Sequence, residues 1–146
     1  MELGWHEFQP YVALVASLVL AFPVAWNRER HSDLVGVRTF PLVAVGACAY
    51  MLLGLFFIDG AGPEAKARLL QGLMTGIGFV GGGAILKHDD TVSGTASAAS
   101  IWIVGAIGAA AAMSAWGFAI TLAVINWLVF RVFMRLKARS ERSLDK

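Results

Sequence analysis

The chain has 146 residues, 58% of them hydrophobic and 15% charged, with a net charge of +2 and a single cysteine. Soluble domains run at ~45–50% apolar and ~25% charged, so these figures and a mean hydropathy of +0.67 exclude a soluble globule, and the scarcity of charge excludes disorder. The lone Cys48 excludes an internal disulfide framework and a multi-cysteine metal site, and so small a net charge does not point to nucleic acid.

Apolar runs of about 17–25 residues cross a ~30 Å hydrocarbon layer as helices. The first run, 8–26, carries no charge between Glu7 and Arg28. Its upstream residues are acidic rather than basic, so it reads as a retained span and not as a cleaved signal peptide. The second, 40–58, lies between Arg38 and Asp59, and the third, 69–86, between Arg68 and Lys87. No charge then occurs from Thr95 until Arg131, a stretch nearly twice what one crossing needs. It must turn back, and Ser114-Ala115-Trp116-Gly117 is the place, giving spans at 96–113 and 116–134. The expected fold class is an all-α integral membrane protein: one five-transmembrane-helix bundle over 1–146, with a basic cytoplasmic tail at 135–146. With the N-terminus outside and the C-terminus cytoplasmic, ten of the twelve basic residues fall on the cytoplasmic side and only Lys66 and Arg68 outside.

Helices in lipid associate through small residues and interhelical hydrogen bonds. The third span holds Gly72, Gly76, Gly78, Gly81, Gly82 and Gly83, each weakening a helix by ~1 kcal/mol relative to alanine. Two readings follow: a central helix clasped by its neighbours, or a helix interrupted at Gly81-Gly82-Gly83 whose backbone lines a polar cavity. The fourth span opens on a small-residue block that includes Gly94, Ser97 and Ser100, so a hairpin of spans three and four is expected to form the core. Asn126, midway along the fifth span, needs a partner on another helix or a role in a site. Trp102 and Trp127 read as anchors of the inner interface.

No carboxylate or histidine lies within a span, which removes the usual groups of proton and ion pathways. No nucleophile–base pair or phosphate-binding loop is present, so neither an enzyme nor a cofactor is expected. The loop 27–39 is a candidate functional loop through Arg28, Glu29, Arg38 and Thr39. His88-Asp89-Asp90 reads as a solvated turn, since three adjacent residues rarely converge on one cation.

Three segments carry a family resemblance: Arg28-Glu29 with Gly36-Val37-Arg38-Thr39, then Thr75-Gly76-Ile77-Gly78-Phe79-Val80-Gly81-Gly82-Gly83, then Val92-Ser93-Gly94-Thr95-Ala96-Ser97-Ala98-Ala99-Ser100-Ile101-Trp102. Together they resemble the MgtC/SapB family. The resemblance implies a multi-pass protein of the bacterial inner membrane linked to growth in low magnesium. It also implies correspondence to the family's transmembrane domain without the soluble C-terminal domain that many members carry. Asn27 and Asp33 stand where the family has glutamate and lysine, and Ala25 and Ser93 where it has glycine and arginine. The expected function is a non-catalytic modulator of magnesium-linked ion homeostasis or of a membrane partner complex. The alternative is a small oligomeric transporter or channel for a cation or small solute. Expected partners are the lipid bilayer and either a second membrane protein or further copies of the chain, with no nucleic acid.

Overall fold

The structure is a computed structural model, and it describes the backbone of residues 5–29, 38–60, 62–88 and 91–144, with side chains over 8–26, 38–60, 62–87 and 91–132. Among the described residues there are five helices and one short β-ribbon: α1 (Trp5–Glu29), α2 (Thr39–Phe57), α3 (Pro63–Gly82), β1 (Leu86–His88), β2 (Thr91–Ser93), α4 (Thr95–Ala112) and α5 (Trp116–Leu144). Three of the helices are long and apolar enough to cross a membrane: α1 over Phe8–Trp26, α2 and α4. The apolar part of α5, Trp116–Val132, is shorter.

Local chemistry fixes the ends. Pro41 sits in the first turn of α2, where its missing N–H has no intrahelical partner to lose. Pro63 opens α3 in the same way, and Glu64 beside it complements the positive end of the helix dipole. The α4–α5 corner is a Schellman motif with serine in the left-handed position, Ser114 at φ 58°. Ala115 N–H bonds Ala110 O at 2.9 Å and Ser114 N–H bonds Ala111 O at 3.0 Å. Gln9 of α1 donates to the Ser114 hydroxyl, tying the start of the chain to this corner.

The helices carry one short ribbon, in which Leu86–His88 pairs antiparallel with Thr91–Ser93, Leu86 opposite Ser93 and Lys87 opposite Val92. The fifth helix runs on through the basic segment to Leu144. Two findings correct the sequence expectation. The third helix covers Pro63–Gly82 rather than 69–86: its start is set by proline and its end by glycine, not by the flanking charges. The hairpin of spans three and four is not the core.

The centre of the bundle is α4, buried on nearly every face from Ser97 to Ala112 and packed against all four other helices. A helix apolar all round belongs inside, and its alanines let neighbouring backbones come close. Gly108 is the tightest point, where a β-carbon would run into the Ala44 carbonyl of α2. By contrast α3 lies at the edge, against α2 and α4, with Gly81 as its one buried residue.

Two core clusters show how the helices run. One joins Ala21, Val24 and Ala25 of late α1 to Phe40 and Ala44 of early α2, with Ile101, Val104 and Phe130. The other joins Ala13 of early α1 to Cys48 and Met51 of late α2, with Leu69 and Leu73 of early α3, Ala112 at the end of α4 and Trp116 at the start of α5. Successive helices therefore alternate in direction between the same two ends of the bundle.

Candidate functional site

The residues singled out by the sequence fall into two places: a polar seam inside the bundle and a groove on its flank. The seam is built by α4 and α5. Ser97 and Ser100 lie one turn apart on α4, and Asn126 faces Ser100 from α5, all three buried. Asn126 Nδ2 donates to Ser100 Oγ at 2.9 Å, and that hydroxyl lies 3.1 Å from Asn126 Oδ1. A serine hydroxyl can accept one proton while donating its own, so the pair answers each other across the helix interface. Ser17 is treated similarly, donating to Leu14 O at 2.8 Å beside the Cys48 thiol. Thr75 and Thr121 turn back onto their own helices, bonding Gln71 O at 2.9 Å and Gly117 O at 2.8 Å.

The groove lies between α2 and α3 and measures about 960 Å³. Its floor is made of glycine: β-carbons added at Gly46, Gly72 or Gly76 would meet nothing within 4 Å. Gly54 differs, because the Leu69 side chain fills the space above it. The walls are apolar, chiefly Leu42, Leu53, Phe57, Leu73, Ile77 and Val80, with Tyr50 on the α2 side. Thr39 stands at one end of the groove and Arg68 at the other. A smaller hollow of about 350 Å³ lies behind α3, between Met74, Trp102, Gly105 and Phe118.

The glycines of α3 therefore divide by role. Gly76 opens the groove, and Gly78 sits 3.5 Å from the Trp102 indole nitrogen. Gly81 rests on the backbone of α4, where a β-carbon would come 3.3 Å from Ala98 O. Gly82 has open space beside it, and Gly83 follows the helix end with its N–H on Phe79 O at 3.1 Å. The helix is held by its neighbours only in part, through Gly78 and Gly81 against α4, and it is continuous until it stops at Gly82. The space beside it is apolar rather than a polar cavity.

Gly94 turns the chain from β2 into α4 at φ 85°, a conformation that favours glycine, and a β-carbon there would strike Ala84 O. Arg38 is exposed just before α2, and Thr39 is half-buried at the end of the groove. The side chains of Arg28, Glu29 and His88, and the whole of Asp89 and Asp90, lie outside the described residues. Among the described residues no three His, Cys, Asp or Glu side chains are grouped to hold a metal. Trp127 packs partly against the core with the Arg131 guanidinium 4.8 Å from its ring centre, within cation–π range. Trp102 instead lines the hollow behind α3.

Sequence reasoning missed the α2 half of the groove. The signal was Gly46, Tyr50 and Gly54 at steps of four, which puts them on one helix stripe. The same step aligns Arg68 with Gly72 and Gly76 on α3.

A family model described as "MgtC family" matches residues 14–139. Protein SrpB of Synechococcus elongatus is 30% identical over 136 residues, covering 85% of this chain and 74% of that protein. The putative magnesium transporter YhiD of Escherichia coli is 26% identical over 134 residues, covering 88% of this chain and 62% of YhiD. Protein MgtC of Salmonella typhimurium is 31% identical over 100 residues, covering 68% of this chain and 42% of that protein. No solved structure matches. With nearly its whole length within the family pattern, from mid-α1 to late α5, this membrane protein belongs to the MgtC family.

Proposed function

We propose that this chain is a five-span protein of a bacterial inner membrane, N-terminus outside and C-terminus in the cytoplasm. In this reading it serves magnesium-linked homeostasis without catalysis, by contact with a neighbouring membrane component along its flank. The alternating helices and the ten-to-two partition of basic residues support the topology. YhiD is named a putative magnesium transporter, and this chain spans 62% of it, so the link to magnesium comes by kinship alone.

One observation carries the reading. The polar atoms of the α4–α5 seam bond each other in a packed interior, while the open space lies outside, in a groove lined by leucine, isoleucine and valine. Magnesium needs oxygen ligands and keeps several of its waters, and this groove offers it a hydrocarbon wall. That weighs against the alternative of an oligomeric cation path along the same glycines.

The test is magnesium flux into proteoliposomes holding the purified chain and a magnesium-sensitive dye. Flux should match empty vesicles. In cells, Gly76→Leu should remove any growth benefit at low magnesium while the protein remains in the membrane, because leucine fills the groove. Saturable flux from the purified chain would contradict the reading.

A further inference from the structure

We infer that the α2–α3 groove holds one glycerophospholipid, its phosphodiester on Arg68 and an acyl chain laid along Gly72 and Gly76. This rests on the reading above that the flank faces the bilayer with Arg68 towards its outer surface. Arg68, Gly72, Gly76 and Val80 recur at steps of four, so a single stripe of α3 starts with a cation and continues as a trough. Arg68 to Val80 is twelve residues, about 18 Å of helix at ~1.5 Å per residue. That is close to one leaflet, half of a ~30 Å hydrocarbon core.

Charge selects the occupant. Arg68 is exposed, and among the described residues it is the one charged residue lining the groove and makes no ion pair. A guanidinium presents a planar fork of donors that matches two phosphate oxygens at once. Away from that end the groove is apolar, and its floor lacks three β-carbons, leaving a channel for a slender chain. A ligand with one anionic end and one long apolar tail complements this surface throughout. A partner helix would have to bring its own carboxylate to the same depth. The volume of about 960 Å³ falls within the ~300–1,000 Å³ of small-molecule sites.

The experiment is native mass spectrometry of the full chain released from nanodiscs of phosphatidylethanolamine and phosphatidylglycerol, after extended detergent exchange. The wild type should keep one phospholipid per chain. Arg68→Ala should reduce that occupancy about tenfold or more, the effect of losing a charge-assisted hydrogen bond, and Arg68→Lys should restore part of it. Gly76→Leu should remove the lipid by filling the trough, with an unchanged melting temperature showing that the bundle still folds. A wild type that keeps no phospholipid, or equal retention in all variants, would overturn the proposal. So would an efficient disulfide between two Gly76→Cys chains in native membranes, which would put a second copy in the groove. Magnesium flux is measured separately, so loss of the lipid site with no flux rejects this inference alone, and flux with the lipid retained rejects the functional reading alone.

Discussion

At the scale of single residues, similar-looking positions have opposite structural weight. Gly108 and Gly76 both lie in small-residue helix faces, yet one touches a backbone carbonyl and the other faces empty space. Gly108→Ala should destabilise the bundle by about 1–3 kcal/mol, because the Ala44 carbonyl is held by α2 and cannot yield. Gly76→Ala should be neutral or stabilising by up to about 1 kcal/mol, the helix-propensity difference. Denaturant titration in detergent micelles measures both, and equal losses would show that the two faces are packed alike. The seam allows a second test at this scale. Ser100→Ala, Asn126→Ala and the double variant should give a coupling of about 0.6–1.7 kcal/mol, the range for membrane interhelical hydrogen bonds. Strict additivity would mean that the two side chains do not depend on each other. Asn126 stood out in the sequence as a carboxamide among apolar residues. Ser100 was singled out too, but not as its partner 26 positions earlier, because only the α4–α5 corner brings the two together.

At the scale of elements, hydropathy located four helices well and misplaced one. The spans expected at 40–58 and 96–113 are observed as Thr39–Phe57 and Thr95–Ala112, and the fifth helix begins at Trp116 as the charge-free stretch suggested. These boundaries coincide with changes in polarity, which is what hydropathy detects. The third helix does not follow that rule. Its first two turns carry Glu64, Lys66 and Arg68, and its last two residues are glycine, so charge-based limits shift it by four to six residues towards the C-terminus. The β-ribbon was invisible for a related reason: two strands of three residues each give too short a pattern to read. The composition of α3 also predicts how it enters a membrane. Tested as isolated segments in a glycosylation-mapped insertion assay, α2 should insert efficiently and α3 poorly, since charged residues and glycines oppose insertion while α2 has neither acid nor base. Equal insertion would mean that α3 does not depend on α2 and α4 for its place.

At the scale of the whole molecule, the five helices among the described residues were legible in the sequence, but not which one lies inside. The bundle is centred on α4 because its alanines and Gly108 admit close neighbours on every side, whereas the larger glycine content of α3 serves an open flank. Glycine counts cannot separate these cases, since an absent side chain leaves room for a packed helix and for a groove alike. The placing of Arg68 in one leaflet depends on the proposed threading: five crossings, with the ends of the chain on opposite sides. Paired reporter fusions, one active only outside the inner membrane and one only in the cytoplasm, measure this directly at residue 1, in the 58–60 turn, in the β-ribbon and at residue 146. The account predicts outside signals from the first two sites and cytoplasmic signals from the last two. Both termini reporting from one compartment would contradict it.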